Sequence, residues 1–495
     1  DFIMSENNFP HQQGLYNPNM EKDSCGVGFI CHIDGVKSNS ILRQGLQILK
    51  NLKHRGAVGA DPTTGDGSGI MLQMPHEFLK RETQKLEIQL PEFGDYAVGM
   101  VFLPRDPNTR LFCEGIFEKI LREENQKLLG WREVPVNEKA CGESARATEP
   151  VIMQVFVDRN GQSQDIFKQK LLIVRKQVQN LVRNSKKPNI DSFYICSLSD
   201  STIVYKGQIL GYMLDEFYLD LQDLAFKTAI AIVHERYSTN TFPSWKLAQP
   251  FRYIAHNGEI NTIRGNINKM NAREGVMYSK SLGEDFKKIL PVVEPGGSDS
   301  ASLDNAFELF VQNGHSMEYT MMMLIPEAWE KDSTMDENKK AFYEYHARLM
   351  EPWDGPATIA FTDGTKAGVT LDRNGLRPAR YLITKDNLVI LASETGVVDI
   401  ENDMIVEKGL VEPGKLLLVD TSEGRVIYDD ETKMKISKTK PFKEWTKRNK
   451  LTLKDIQQSC EIKTMRRETL LLKQEMFGYN KSELQNTIAF MANNG

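Results

Sequence analysis

The clearest alternation of apolar and polar positions begins at residue 25. Every second residue from there to residue 33 belongs to one set, as in a β-strand that presents one face to a core: Cys25, Val27, Phe29, Cys31 and Ile33. Four leucines then recur at the spacing of one helix face: Leu42, Leu46, Leu49 and Leu52. The pattern therefore predicts a strand followed by a helix that ends near residues 54–56.

Similar patterns continue to about residue 430. Apolar runs predict strands at 97–103, 151–157 and 229–233, and helical spacing predicts helices within 167–181 and after the capping residue Ser298. Pairs of runs around short polar turns predict three β-hairpins: 193–207, 358–371 and 381–391. Antiparallel strands with helices grouped between them predict an α+β fold, with two sheets sandwiched by helices, and not a parallel βαβ array.

Composition places the chain among ordinary soluble proteins. Of its 495 residues 40% are hydrophobic and 26% are charged, and the net charge of -5 argues against a nucleic-acid partner. No apolar run is long enough to span a membrane, and residues 1–24 resemble neither a secretory signal nor a transit peptide. The six cysteines form no Cys-x-x-Cys pair, which argues against a metal site or an iron–sulfur cluster in this chain and favours a cytoplasmic location.

The character of the sequence changes after residue 430. Between Lys433 and Lys450 there are eight Lys or Arg residues and one acid, Glu444, a composition typical of a solvated linker. Residues 466–495 then show a helical pattern in a stretch that is short for a domain. These features predict a domain over 25–430, followed over 431–495 by a linker and the start of another domain.

The first candidate for chemistry is Cys25, which is followed at once by Gly26-Val27-Gly28. A cysteine at the start of a mature chain carries its own base, because its free α-amine has a pKa of about 8 and lies beside the thiol. Under this hypothesis residues 1–24 are a propeptide, and cutting the Ser24–Cys25 bond creates the base. The alternative is a small buried cysteine in a strand, which is the commoner role of such a residue.

Three later segments offer the other groups that amide hydrolysis needs. Asn257-Gly258 combines a side-chain amide with a backbone N–H, two neutral donors for an oxyanion. Arg236 is able to bind a carboxylate through two hydrogen bonds, and Asp299 to accept from an α-ammonium group. Each is ambiguous alone, because Asn-Gly is usually a turn and a single Arg or Asp is usually a surface charge.

Taken together and in order, the motifs resemble the class II glutamine amidotransferases, which are N-terminal-nucleophile hydrolases. Within them the match is with the amidotransferase domain of the glutamate synthase large subunit. The motifs that carry the resemblance are Cys25–Phe29, His54–Gly56, Arg236–Ser244 with Trp245, Ala255–Thr262 with Arg264-Gly265-Asn266, Ser298–Ala301 and Asp372–Pro378.

The resemblance implies a four-layer αββα sandwich, with a C-terminal helical extension in this chain. It implies that Cys25 is the nucleophile, that Asn257 and Gly258 form the oxyanion hole, and that Arg236 and Asp299 hold the α-carboxylate and α-ammonium of glutamine. Ammonia released here would pass to a synthase half, present in cis or in trans, that makes glutamate from 2-oxoglutarate with FMN and an iron–sulfur cluster. No cofactor is expected in this chain.

Two alternatives stay open at this point. One is a stand-alone amidohydrolase, or a subunit of another glutamine-dependent synthase, of the same superfamily. The other is a scaffold subunit that has kept the fold without the catalysis. The full set of Cys25, Arg236, Asn257, Gly258 and Asp299 argues against the scaffold.

Overall fold

The structure is a computed structural model that describes residues 25–58, 61, 63–236, 242–453, 455–456 and 467–494. The described residues up to Lys443 form one compact unit, and those from Glu444 onward form a second. In the described part of the second unit, all regular elements are helical.

The strands of the described residues are β1 (Gly26–His32), β2 (Ser68–Gln73), β3 (Tyr96–Leu103), β4 (Lys127–Glu133), β5 (Val151–Asp158), β6 (Tyr194–Ser199), β7 (Thr202–Gly207), β8 (Ile230–Glu235), β9 (Ile254–Gly258), β10 (Ala357–Thr362), β11 (Lys366–Leu371), β12 (Arg380–Thr384), β13 (Leu388–Ala392), β14 (Ile405–Leu410), β15 (Leu416–Asp420) and β16 (Arg425–Tyr428).

The helices of the first unit are α1 (Asn39–Asn51), α2 (His76–Gln84), α3 (Pro107–Glu123), α4 (Glu143–Ala147), α5 (Gln164–Asn184), α6 (Leu214–Phe217), α7 (Ile263–Glu274), α8 (Asp299–Gln312), α9 (Met317–Leu324), α10 (Glu337–His346) and α11 (Asp429–Ser437). Helix α12 (Phe442–Asn449) spans the boundary between the units. The second unit contains α13 (Arg467–Met476), α14 (Lys481–Glu483) and α15 (Ala489–Asn494).

The described strands form three sheets. A seven-stranded sheet runs β14-β12-β13-β1-β8-β2-β7, a five-stranded sheet runs β16-β15-β11-β10-β9, and a four-stranded sheet runs β4-β5-β3-β6. Strand β1 lies inside the first sheet, antiparallel to β13 and β8. Strand β9 ends the second sheet and pairs with β10.

The two larger sheets face each other across one apolar layer. The predicted face of β1 lies in it, because Val27, Phe29 and Cys31 are fully buried against residues of the second sheet such as Val369 and Val419. Helix α1 covers the other face of the first sheet, and helices α8 and α9 cover the second. This is the αββα sandwich that the sequence predicts, so the predicted fold class is confirmed.

The predicted hairpin at 193–207 is wrong. Strands β6 and β7 follow each other directly, but β6 pairs with β3 and β7 pairs with β2 in a different sheet. In the turn between them, the hydroxyl of Ser201 donates to the backbone oxygen of Asp363 at 2.8 Å. The other two hairpins are confirmed as β10–β11 and β12–β13.

The four-stranded sheet is an addition that the sequence pattern did not separate from the sandwich. Helices α3 and α5 pack on one face, where Ala97, Val101 and Leu103 are buried. The opposite face, with Val98 and Met100, joins the apolar cluster beneath α1.

The compact unit continues beyond the predicted boundary at residue 430. Lys433, the first residue of the charged stretch, is buried in α11. Its ammonium group donates to the backbone oxygen of Gly414 at 2.5 Å and lies 2.8 Å from Asp429. The start of the charge-rich segment therefore packs on the sandwich, and the partners of Lys433 offset the cost of burying its charge.

Candidate active site

The candidate nucleophile Cys25 directly precedes β1 and is 8% exposed. Burial raises the pKa of its thiol to about 11; the positive charges of Arg236 and Arg377 oppose this rise, and the carboxylate of Asp299 adds to it. At this pKa the thiol is protonated at neutral pH. A nearby base is therefore needed to make it a nucleophile.

The predicted oxyanion donors lie at the end of β9, beside Cys25. The side-chain amide Nδ2 of Asn257 donates to the backbone oxygen of Cys25 at 2.8 Å. Gly258 has a φ of +145°, a value that favours glycine, and a Cβ atom built there would overlap the backbone oxygen of Pro356. The Asn-Gly pair is therefore a strand end facing the candidate nucleophile and not a hairpin turn.

Asp299 is the first residue of α8, where the side chain of Ser298 caps the helix. The carboxylate oxygen Oδ2 accepts from the backbone N–H of Ile260 at 2.9 Å, and Oδ1 accepts from the backbone N–H of Ser300 at 2.7 Å. The first of these bonds attaches the helix to the segment that follows Gly258. Asp299 therefore lies next to the predicted oxyanion donors, Asn257 and Gly258.

Arg236 follows the last residue of β8 and has a φ of +78°, which is uncommon for a residue with a side chain. Its backbone N–H donates to the oxygen of Gly67 at 2.8 Å, and its Nε lies 3.9 Å from a carboxylate oxygen of Asp66. The next five residues of the same motif, 237–241, lie outside the described residues. The charge of Arg236 acts on Cys25, so this residue also belongs to the neighbourhood of the thiol.

Five residues from four segments of the sequence thus meet at the ends of β1, β8 and β9 and the start of α8. A class II glutamine amidotransferase family model matches the chain over residues 25–445. The chain belongs to this family. The match begins at Cys25, the residue that the sequence predicts as the first of the mature protein.

Several curated relatives share this amidotransferase sequence over almost the whole chain. It is 46% identical to the "Glutamate synthase [NADPH] large chain" of Bacillus subtilis over 97% of this chain and 31% of the relative. It is 43% identical to the "Glutamate synthase [NADH]" of Schizosaccharomyces pombe over 98% of this chain and 24% of the relative. It is 40% identical to the "Ferredoxin-dependent glutamate synthase 1, chloroplastic/mitochondrial" of Arabidopsis thaliana over 96% of this chain and 29% of the relative. The chain therefore spans less than a third of each relative.

One charged residue of the candidate site was not predicted from the sequence. Arg377 lowers the pKa of Cys25, so its positive charge lies close enough to act on the thiol. Asp372 shapes the loop that carries it, because its carboxylate accepts from the backbone N–H groups of Asn374 at 2.9 Å and Leu376 at 3.3 Å. Arg377 belongs to the motif Asp372–Pro378, but the spacing of that motif did not indicate that Arg377 lies near Cys25.

The His54-Arg55-Gly56 motif contacts the segment that follows β13. Glu394 accepts from Arg55 at 2.7 Å and lies 2.7 Å from His54. The preceding residue, Ser393, donates its backbone N–H to the oxygen of Val27 at 2.9 Å. These contacts fix the segment after β13 to the first residues of β1.

A buried acid, Glu235, supports the same region at the end of β8. It is 2% exposed, and burial raises its pKa well above the usual value. Gly56 and Gly211 leave the space for its carboxyl group, because a Cβ atom at either position would overlap it. The backbone N–H of Gly211 lies 3.3 Å from its Oε1. Burial therefore favours the neutral form of the Glu235 carboxyl group.

Within the described residues, no group of three or more His, Cys, Asp or Glu side chains is arranged to hold a metal ion. The helices in the same part of the chain include none that is both long and apolar enough to cross a membrane.

Proposed function

We propose that this chain hydrolyses glutamine to glutamate and ammonia through a thioester on Cys25. The sulfur would form a bond to the side-chain carbonyl carbon of glutamine while the C–N bond breaks and ammonia leaves with the thiol proton. Water would then attack the thioester and return a proton to the sulfur. The α-amine of a freed Cys25 would carry the proton in both steps.

The observation that supports this proposal most is the contact between Asn257 and Cys25. A side-chain amide has two N–H donors, and one of them donates to the Cys25 oxygen at 2.8 Å. The second is available to the oxyanion that develops when the thiolate attacks, together with the N–H of Gly258. Arg236 and Asp299, which both act on the thiol electrostatically, would hold the two charged groups of the amino acid.

The proposal includes removal of residues 1–24 as a propeptide. While Cys25 is joined to Ser24, its nitrogen is an amide and cannot accept a proton, and the thiol pKa of about 11 keeps the sulfur protonated. Cleavage would supply a base with a pKa of about 8 beside that thiol. The uncut chain would therefore be inactive.

The direct test is an N-terminal sequence and intact mass of the purified protein, followed by a glutaminase assay. The active form should begin at Cys25, and Cys25→Ala should abolish both hydrolysis and covalent labelling by a glutamine-like electrophile. Cys31→Ala is the matched control, because Cys31 lies buried on the same strand in the apolar layer. Full activity with residues 1–24 attached, or labelling that survives Cys25→Ala, would contradict the proposal.

We place this activity in a glutamate synthase. The amidotransferase domain predicted at 25–430 would also include the residues up to Lys443 that belong to the same compact unit, and the rest of 431–495 would be a linker and the start of the next domain. The partner would be a synthase half, in cis or in trans, that holds FMN and an iron–sulfur cluster and consumes the ammonia with 2-oxoglutarate in a cytoplasm. Relatives are named for NADPH, NADH and ferredoxin, so their names do not select an electron donor. Without that half, the processed chain should release ammonia and form no glutamate from 2-oxoglutarate.

A further inference from the structure

Strand β9, which carries the two oxyanion donors, has one strand neighbour in the described part of the chain. That neighbour is β10, and the register places His256 opposite Ile359. On the other side, side chains meet the backbone of His256. Its N–H donates to Oε1 of Gln249 at 2.8 Å, and its oxygen accepts from Nε2 of the same side chain at 3.2 Å.

A second side chain also contacts the backbone of His256 on this side of β9. Nε2 of His234, on β8, lies 2.9 Å from the same oxygen of His256. A carbonyl oxygen only accepts, so this nitrogen carries the proton. Burial lowers the pKa of His234 to about 3, which keeps the ring neutral at the pH of the cell.

The amide of Gln249 also reaches the helix that carries Asp299. Nε2 lies 3.5 Å from Oγ of Ser300, and this hydroxyl lies 2.8 Å from Nδ1 of His256 and 3.2 Å from Oδ1 of Asp299. Gln249, His256 and Ser300 are each 1% exposed. One buried side chain thus holds the residue before Asn257 and contacts the residue after Asp299.

We propose that Gln249 is a positioning residue of the oxyanion hole, which holds β9 so that Asn257 and Gly258 meet the developing negative charge. This inference rests on the proposed glutaminase function. It assigns Gln249 no contact with substrate, because its amide groups are engaged by the backbone of His256.

The chemistry of the contact requires a donor and an acceptor on one side chain. An ionised carboxylate at this position would accept from the N–H of His256 but would also face the oxygen of His256 without a donor. A protonated carboxylic acid has both groups and nearly the same shape. Gln249→Glu is therefore a substitution whose effect depends on pH within one protein. The titratable side chains placed beside it by the hydrogen bonds are His234 on β8, His256 on β9 and Asp299 on α8.

The chain offers a matched control in Gln73. This buried side chain likewise donates to one backbone group and accepts from another, since its Nε2 donates to the oxygen of Gly364 at 2.6 Å and its Oε1 accepts from the N–H of Ala229 at 2.8 Å. It lies beside the first residues of β8, at the opposite end of the strand from Arg236. Substitution of Gln73 should disturb the fold as much and the reaction far less.

The experiment compares kcat and KM for glutamine in the processed wild-type protein and in Gln249→Met, Gln249→Glu, Gln73→Met and Gln73→Glu, between pH 5 and 9. Gln249→Met should lose about tenfold to hundredfold in kcat, with little change in KM, because a shift of about 1 Å in a catalytic group has this effect. Relative to wild type at each pH, Gln249→Glu should be close to normal at pH 5 and should fall toward Gln249→Met by pH 9. The Gln73 variants should keep the wild-type kcat across the range.

The outcomes distinguish a failure of the proposed glutaminase function from a failure of the proposed role of Gln249. A wild-type protein that does not hydrolyse glutamine would contradict the proposed function itself. An active wild type with unchanged kcat in both Gln249 variants, or with equal losses in the Gln73 variants, would overturn only the role of Gln249. If thermal melting shows that neither Gln249 variant folds at any pH, Gln249 is a structural residue and the proposal is also overturned.

Discussion

Strands β1 and β9 bring the two parts of the candidate site together, and they are held in different ways. Strand β1, which follows Cys25, has a strand on each side, so its backbone is fixed by ladders to β13 and β8. Strand β9, which ends in Asn257 and Gly258, has β10 on one side and the side chains of Gln249 and His234 on the other.

The difference shows where such a site is sensitive to substitution. A ladder is made by backbone groups that every non-proline residue provides, so the position of β1 does not depend on any one side chain. The position of β9 depends on particular donors and acceptors. Substitutions near β9 should therefore change the reaction rate, whereas substitutions near β1 that spare Cys25 and Arg236 should mainly change stability.

The largest effect in this comparison is expected for Asn257→Ala, which removes a donor from the edge strand. By the usual effect of losing one oxyanion donor, kcat should fall about 10²–10³-fold, or about 2.7–4 kcal/mol, with a smaller change in KM. Steady-state kinetics with glutamine measures this. Asn39→Ala is the control, because Asn39, at the start of α1, donates to the backbone oxygens of Asp223 and Phe226, which do not belong to the candidate site. An unchanged kcat in folded Asn257→Ala would remove Asn257 from the oxyanion hole.

A smaller effect is expected for Arg236→Lys at the end of β8. The charge is kept, but the fork that binds a carboxylate through two hydrogen bonds is lost, at a cost of about 1.5–3 kcal/mol. KM for glutamine should therefore rise by about tenfold to hundredfold. Hydrolysis of a neutral amide that lacks the α-carboxylate should change much less. Equal losses for the two substrates would indicate that Arg236 supports the structure and does not bind the carboxylate.

The smallest effect on the reaction is expected for Glu235→Gln, which lies beside β1. The pKa of Glu235 is raised by burial, so its folded pKa lies above its unfolded pKa. Its contribution to stability is complete below the unfolded pKa and is lost as pH rises through the folded pKa. A glutamine does not ionise, so the variant should gain melting temperature relative to wild type between pH 5 and pH 8.

Thermal unfolding at several pH values tests this expectation, with kcat measured at each pH. The melting-temperature difference should shrink toward pH 4, and kcat should stay near that of wild type. A difference that does not vary with pH would show that folding does not raise the pKa of Glu235. A large loss of kcat would show that the end of β1 is as dependent on side chains as β9.

Local patterns were enough to predict most elements, but not how some of them pair. The alternation from Cys25 predicted β1 and its buried face, and the capping residue Ser298 predicted α8. The stretch 193–207 shows the limit. Two apolar strands around a tight turn have the pattern of a hairpin whether they pair with each other or with two different sheets, because strand pairing is decided by residues far away in the sequence.

The sequence by itself determined the chemistry available to this protein: a cysteine before Gly-Val-Gly, an Asn-Gly pair, an arginine and an aspartate, in the order of a known family. Only the tertiary structure decided that Asn257 meets the backbone of Cys25, that Arg377 lies close enough to lower the pKa of the thiol, and that Gln249 bonds to the backbone of His256 on β9. The physical reason is the separation along the sequence over which each effect acts. Residue type and periodicity act over a few positions, whereas these contacts join groups up to hundreds of residues apart and exist only after the two sheets have packed.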